Sequence, residues 1–271
     1  MKTAVIVTTY NRPDALHTVL AGYREQTVSD FELLIADDGS RDETRALVAD
    51  YSKRSRFPVH HVWQEDRGFR AGAARNRALA QTGADYVVFS DGDCVPPVFF
   101  VEQHRELAED GHFLSGNRIL LSKEYTARLL QTRAAIHRLS TPQWLIAWLR
   151  RDVNRALPLL RLPNASFRKR QMLQWEGVKT CNFSAWRTDL VHVNGFDEQY
   201  SGWGLEDSDL VIRLLHAGVR HKSARFAAPV FHLWHQENDR TQLAENQHRL
   251  EAILASERVA AAVGLDQYSS A

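Results

Sequence analysis

The amino-acid sequence predicts an α/β protein with a Rossmann-like, mostly parallel central sheet flanked by helices. Three observations carry this. Strand-like and helix-like patterns alternate through the first 120 residues, as βαβ units with right-handed crossovers require. The strand candidates are near-continuous apolar runs, Tyr86-Val87-Val88-Phe89 above all, which suits strands buried on both faces. Acidic residues stand directly after these runs, at the carboxyl ends where such sheets bind their ligands.

Residues 4–9 form the first strand, and Pro13, whose fixed φ suits a first helical turn, opens the helix behind it. The second strand, 31–36, runs into Asp37-Asp38-Gly39-Ser40, where Ser40 and Glu43 have the spacing of a capping box for a helix reaching about Tyr51. A third strand spans 59–63, an Ala- and Arg-rich helix 72–81, and a fourth strand ends at Asp91. Further on, 181–186 reads as a strand and 188–194 as a short helix closed by Gly195; a helix over 206–217 is closed by Gly218. Strand-like runs fill 219–235, a long helix is expected over 241–263, and the last residues look frayed.

Between these halves the rhythm breaks. Residues 123–170 carry eleven Lys and Arg against Glu124 and Asp152, a net of +9, which leaves about −8 for the rest of a chain whose total is +1. Aromatic and aliphatic groups alternate with arginine through Trp144-Leu145-Ile146-Ala147-Trp148-Leu149-Arg150-Arg151 and Leu157-Pro158-Leu159-Leu160-Arg161-Leu162-Pro163. Two readings stand side by side. One is a basic amphipathic segment lying on an anionic membrane surface, each basic residue adding roughly 1 kcal/mol. The other is a helical insertion with its apolar face on the core and a solvated basic face. No nucleic-acid recognition motif accompanies the charge. The expected organisation is residues 1–122, a basic insertion 123–175 and residues 176–271, all within one compact domain.

With 271 residues and 44% hydrophobic content, the chain can bury a substantial core, which excludes disorder. Cys94 and Cys181 are too few for a disulfide framework and are expected as free thiols. The apolar run after Lys2 is too short for a signal-peptide core, and no window has the length of a transmembrane helix. A cytoplasmic location follows as the expectation, with peripheral attachment to the inner membrane face left open.

Asp91-Gly92-Asp93 is the strongest chemical signal. Two carboxylates at the mouth of a buried strand can share a hard divalent cation, Mg²⁺ or Mn²⁺, with a substrate diphosphate. Three further clusters fall on strand ends or helix starts of the same sheet: Thr8-Thr9-Tyr10-Asn11-Arg12, Asp37-Asp38-Gly39-Ser40, and Trp203-Gly204-Leu205-Glu206-Asp207-Ser208-Asp209. Each has a plain structural reading as well. Asp38-Gly39 is a common turn, the macrodipole favours acids in a first helical turn, and Trp203 suits a core.

Taken together, 5–12, 37–40, Gly72 with Ala74-Arg75-Asn76, and Asp91-Gly92-Asp93 resemble the amino-terminal half of family-2 glycosyltransferases, which have the nucleotide-sugar-binding GT-A fold. Cys181-Asn182-Phe183-Ser184-Ala185-Trp186, Gly195-Phe196-Asp197-Glu198 and the acidic 203–209 motif are similar to the carboxyl-terminal module of β-1,4-galactosyltransferases and chondroitin-type polymerases. The resemblance spans roughly 3–122 and 176–240 and leaves the basic segment outside it. It implies that Asp38 holds the uracil of a UDP-sugar, Arg75 lies near the nucleotide, Asp91 faces the ribose and Asp93 binds the metal. Thr9, Tyr10, Arg12 and Gly92 fall among the nucleotide-sugar contacts. Asp207 is implied as the base, with Glu206, Trp203 and Gly204 toward a saccharide or lipid-linked acceptor. Leu205 and Ser208 depart from the galactosyltransferase pattern, which leaves the donor sugar open.

The chemistry agrees with those roles. Displacing a nucleoside diphosphate builds charge that a cation at Asp93 neutralises. The acceptor hydroxyl must lose a proton to a carboxylate on the opposite face, and in-line attack inverts the anomeric centre. A second metal ligand is sought in Phe231-His232-Leu233-Trp234-His235; His235 matches the resemblance better and His232 stays open, with imidazole tilting the preference toward Mn²⁺. Trp186 is read as sugar-facing or as core. The rival classes are a sugar nucleotidyltransferase, disfavoured because Thr9-Tyr10-Asn11-Arg12 lacks glycines, and a non-catalytic membrane-surface module.

Overall fold

The computed structural model describes residues 1–156, 160–236 and 239–268. In chain order the elements are β1 (Thr3–Thr9), α1 (Pro13–Arg24), β2 (Phe31–Asp37), α2 (Asp42–Ser52), β3 (Val59–Trp63), α3 (Ala71–Gln81), β4 (Tyr86–Asp91), β5 (Cys94–Val95), α4 (Phe100–Leu107), β6 (His112–Ser115), β7 (Arg118–Leu120), α5 (Lys123–Thr132), α6 (Thr141–Leu149), β8 (Asn182–Trp186), α7 (Arg187–His192), α8 (Glu206–His216), β9 (Arg220–Ser223), β10 (Val230–His232) and α9 (Leu243–Leu254). Seven strands make one sheet in the order β3-β2-β1-β4-β8-β6-β9. The first four are mutually parallel, β8 runs antiparallel to both β4 and β6, and β6 pairs with β9 in parallel. A small sheet, β5-β10-β7, sets Cys94 opposite His232.

The period-two alternation of the central strands explains their unbroken apolar runs. Val5, Val7, Leu33, Ile35 and Val88 face one core with α1; Ala4, Ile6, Leu34, Ala36, Val87 and Phe89 face a second core with α3 and α8. Register then aligns the strand ends: Thr9 lies opposite Asp37, and Thr8 opposite Asp91. That edge is where the acidic clusters gather.

Polar contacts fix the junction of the parallel half with β8. Tyr86 Oη and Ser184 Oγ are 2.8 Å apart, Ser184 Oγ meets His104 Nδ1 at 2.7 Å, and His104 Nε2 meets Asn182 Oδ1 at 3.1 Å. Asn182 Nδ2 donates to the Asn117 and Ala228 carbonyls. Burial pushes the His104 imidazole down to about 4, so it stays neutral at the heart of this chain of contacts. Gly116 is required beside it, since a Cβ there would come within 2.4 Å of the Asn182 amide.

Three expectations change. The helix after β2 starts at Asp42 with Arg41 at its N-cap, so Ser40 and Glu43 form no capping box. Ser40 Oγ instead accepts from the Asn11 amide, and Asn11 Oδ1 accepts from the Arg41 amide, which latches the β1 and β2 loops together. The terminal helix stops at Leu254 rather than at 263. Residues 261–263 are taken by tertiary hydrogen bonds: the Ala261 amide donates to the Val193 carbonyl, the Ala262 amide to Asp197, and the Glu198 amide to the Val263 carbonyl. Nor is the tail frayed up to 268, because Leu265 is buried in the second core and the Tyr268 hydroxyl donates to Glu198.

The basic segment divides. Arg168 is fully buried and donates to four carbonyls, those of Leu162, Pro163, Ser223 and Arg225. Arg128, Arg138 and Lys169 pair with Asp152, Glu25 and Glu109. The α6 helix buries Trp144 and Ala147, and Trp144 stacks on Phe231 of β10 with centroids 4.3 Å apart. Leu157, Pro158 and Leu159, part of the second apolar run, lie outside the described residues.

One fully buried ion pair anchors α8. Asp209 Oδ1 accepts from Arg213 Nε at 2.6 Å, and Arg213 Nη1 donates to the Val193 and Gly195 carbonyls, tying the helix to the turn after α7. Removing Arg213 would leave the buried Asp209 carboxylate with only the half-exposed Arg258 guanidinium at 3.6 Å and a long Tyr200 hydrogen bond at 3.4 Å. Arg213→Met is expected to lower the unfolding free energy by about 3–5 kcal/mol, read as a lower urea midpoint at unchanged slope.

Candidate active site

Three loops at the carboxyl edge of the parallel strands build the first wall. Asp38, directly after β2, is buried; its carboxylate accepts from Gln64 Nε2 at 2.6 Å and from the Arg70 amide at 2.7 Å, while burial pushes its pKa up. Asp37 is engaged elsewhere, with Oδ1 accepting from the Ser40 amide and Oδ2 lying 2.7 Å from His61 Nε2. Gly39 adopts φ +98°, and a Cβ there would sit 2.5 Å from the Asp66 backbone, so this turn needs glycine. Exposed Tyr10 donates to Asp66 at 2.9 Å and closes the same loop. Arg12 is not brought into the carboxylate cluster: its guanidinium makes two hydrogen bonds to Asp14 in the first turn of α1.

The centre of the site is Arg75. Carried by α3 and buried, it donates from Nε to Thr8 Oγ1 at 3.0 Å, from Nη2 to Asp91 Oδ1 at 3.1 Å and from Nη1 to Glu206 Oε1 at 3.2 Å, and it lies 3.7 Å from Asp207 Oδ1. The Phe196 ring supports the guanidinium from 5.3 Å. A helix as rich in alanine as α3 can approach the sheet closely enough to deliver this side chain; Ala74 and Ala78 pack directly on the second core. One cation thus faces three carboxylates. Burial raises the Glu206 carboxyl to about 7, with Asp207 adding to the rise and Arg75 opposing it. Burial likewise raises Asp91 to about 6 against the pull of Arg75.

Glu206 and Asp207 reach Arg75 because of the loop before α8. Gly202, Gly204 and Leu205 all take positive φ, at 70°, 106° and 76°, so the chain turns sharply into the helix N-terminus. Leu205 is a non-glycine residue held in this region, a conformation that surrounding contacts must enforce. Asn246 of α9 donates to the Ser201 and Gly204 carbonyls from a buried position and fixes that turn. Trp203 is half-buried, with the Arg240 guanidinium 4.8 Å from its ring, so it is no core residue. Trp186, by contrast, packs edge-on against Tyr86 and donates to the Glu109 carbonyl, which leaves the core reading.

Below this cluster lies a second one. Gly92 donates to the Thr8 carbonyl at 2.7 Å, and a Cβ would meet Thr9 Oγ1 at 2.9 Å, so only glycine lets β4 turn here. The turn delivers Asp93, whose Oδ2 is 3.3 Å from His235 Nε2 and 3.8 Å from His232 Nε2. The two imidazoles lie tilted at 46° to one another, with centroids 5.2 Å apart. Burial lowers the His232 pKa, which keeps its ring neutral and able to coordinate. Ligand atoms of Asp93, Cys94 and His232 lie within 4.8 Å of one another. A carboxylate with imidazoles fits Mn²⁺ or Mg²⁺, the nitrogen donors leaning toward Mn²⁺. Both histidines approach Asp93, His235 more closely. Glu237 and Asn238, the polar residues beyond it, lie outside the described residues.

One contact of the site had no sequence signal. Buried Thr180, in the loop before β8, donates its hydroxyl to Asp207 Oδ1. Thr8, at the strand end marked in the sequence by Thr8-Thr9-Tyr10-Asn11-Arg12, orients Arg75.

Glu206 provides a pH test. With its carboxyl raised from 4.5 to about 7, the stability it contributes is full below pH 4.5 and is lost as pH rises through about 7. Glu206→Gln stays neutral throughout. Its melting temperature is therefore expected to pull ahead of the parent's between pH 4.5 and 7 and to hold a constant lead above; a lead independent of pH would contradict the raised carboxyl.

Comparison with known proteins adds the family. The family model described as glycosyl transferase family 2 matches residues 4–176, and a galactosyltransferase domain model matches 162–236. Validoxylamine A glucosyltransferase of Streptomyces hygroscopicus subsp. jinggangensis is 31% identical over 227 residues, covering 80% of this chain and 52% of that protein. Chondroitin synthase of Escherichia coli is 27% identical over 255 residues, covering 86% of this chain and 34% of that protein. The chain thus spans from about a third to about half of the length of these relatives. Among solved structures, S. aureus TarS in complex with UDP superposes with a TM-score of 0.63 at 16% identity, covering 99% of this chain and 68% of that one. The mannosyltransferase PcManGT from Pyrobaculum calidifontis, in complex with GDP-Man and Mn²⁺, gives 0.59 at 18%, covering 87% and 57%. The fold is that of the GT-A enzymes, and the chain belongs to glycosyl transferase family 2.

Proposed function

We propose that this chain transfers a hexose, of galactose, N-acetylgalactosamine or glucose type, from a UDP-sugar to a saccharide or glycolipid acceptor. The transfer inverts the anomeric centre and serves cell-surface polysaccharide or lipopolysaccharide synthesis at the cytoplasmic side. The observation that carries this reading is the Arg75 guanidinium, which joins Asp91 of the strand-end wall to Glu206 and Asp207 of the later helix. A nucleotide-sugar site and an acceptor base have to meet across such a junction. Relatives named as a glucosyltransferase and as chondroitin and hyaluronan synthases support a saccharide product, and the TarS complexes with UDP and UDP-GlcNAc support a uridine donor.

In this reading Asp38 receives the uracil N–H. Its two present hydrogen bonds orient the carboxylate, and each oxygen keeps a lone pair for the base. Asp91 faces the ribose, and Thr9, Tyr10 and Gly92 line the approach. Asp207 removes the proton from the attacking hydroxyl. Thr180 and Arg75 hold its carboxylate in one orientation, which is the positioning that general-base catalysis requires. Glu206, its carboxyl raised by burial, can accept from or donate to an acceptor hydroxyl. Trp203 offers a flat face to sugar C–H groups beside the two acids. Asp93, with His235 and His232, would hold Mn²⁺ or Mg²⁺, which neutralises charge on the departing diphosphate.

Asp207→Asn is expected to reduce transfer by about 10²–10⁴-fold with UDP affinity unchanged in calorimetry; retained turnover would sink its assignment as base. Across a panel of nucleotide sugars, UDP rather than pyrophosphate should be the released product. Chelation should abolish transfer and Mn²⁺ restore it in the parent but not in Asp93→Asn, whereas indifference to chelator would remove the metal from the scheme.

A further inference from the structure

We propose that α6 is an interfacial anchor that seats this enzyme on a membrane surface rich in anionic lipid. The helix is apolar on both faces. Trp144 and Ala147 are spent on the core, where Trp144 stacks on Phe231. Leu145, Ile146, Trp148 and Leu149 are exposed at 49, 48, 45 and 67%. At about 100° per residue these four occupy one continuous arc of roughly 160° opposite the buried face. Scattered exposed leucines are ordinary, but four large apolar side chains in five positions form a patch of the kind that marks an interaction surface.

Charge identifies the occupant. Arg150 and Arg151 follow the patch directly, with Arg155 beyond, and all three are exposed. Most other cations nearby are engaged: Arg128 with Asp152, Arg138 with Glu25, Lys169 with Glu109, and Arg168 with backbone carbonyls. Arg150 and Arg151 have no carboxylate partner among the described residues. Free cations therefore gather beside the exposed Trp and Leu side chains. That pairing suits the headgroup boundary of an anionic bilayer, where rings and aliphatic chains sink among acyl chains and guanidinium groups meet phosphates. A protein partner would satisfy the apolar arc but would need its own acidic rim for the arginines. The anchor also bears on the site, because the strand it docks on, β10, carries His232. A surface bound there would face acceptors embedded in it.

The test is flotation of the intact chain with phosphatidylcholine vesicles made with and without phosphatidylglycerol. The parent should float with the anionic vesicles only, and high salt should release it. Trp148→Ser with Leu149→Ser should abolish flotation at unchanged melting temperature, since neither side chain is buried. Arg150→Gln with Arg151→Gln should weaken partitioning about thirty-fold, at roughly 1 kcal/mol for each lost cation. Transfer to a soluble acceptor should be the same in all three proteins. Absence of flotation, equal binding to neutral vesicles, or a self-association in sedimentation that the Trp148 and Leu149 substitutions abolish would each overturn the proposal, the last assigning the patch to a second copy.

Discussion

One buried guanidinium has to balance three carboxylates, and much of the molecule serves that arrangement. Arg75 is buried where it lies, so its charge depends on protein acceptors; Thr8, Asp91 and Glu206 take one donor each from Nε, Nη2 and Nη1, and Asp207 stands close by. Burial, reinforced by the neighbouring carboxylates, raises the Asp91 and Glu206 carboxyl groups. Such a centre favours an incoming cation or a hydrogen-bonding ligand. Meeting this demand draws on β1, α3, β4 and the start of α8, elements that are distant in sequence, so the two halves of the chain are bound to one another through it.

Neighbouring acids in this chain have separate fates. Asp37 holds the loop after β2 through Ser40 and His61, while Asp38, one residue on, is turned toward Gln64 and the Arg70 amide. Asp91 faces Arg75, whereas Asp93 lies with the histidines of the β10 region. In the first turn of α8, Glu206 and Asp207 point into the site, and Asp209 is spent on Arg213 in the core. Alternation along a strand end and the 3.6-residue period of a helix give physical reasons for these partitions.

The basic segment follows the same rule that proximity in sequence does not assign a role. Its net charge of +9 reads as one surface. Folding removes Arg168 to the interior, pairs several others and leaves the exposed apolar face of α6 next to Arg150 and Arg151. One face of α6 packs on the core as the insertion reading expects, but the opposite face is exposed and apolar rather than basic, with the free arginines following it in sequence.

The α/β class, the parallel strands and their helices were legible in the sequence because strands buried on both faces have to be apolar throughout, and because Pro13, Gly195 and Gly218 mark helix ends by their backbone chemistry. The family, too, was legible from motifs that stand in order. What sequence could not decide were contacts set by tertiary approach. The Ser40 hydroxyl is claimed by Asn11 from another loop, so no capping box forms. Beyond the end of α9 at Leu254, residues 261–263 are claimed by hydrogen bonds with residues 193–198 instead of continuing the helical periodicity. Thr180 carried no motif yet holds Asp207. Local periodicity and turn chemistry act between near neighbours and can be read along the chain. Which carboxylate a single buried arginine neutralises depends on which strand and helix ends are brought within 4 Å of it, and only the folded sheet decides that.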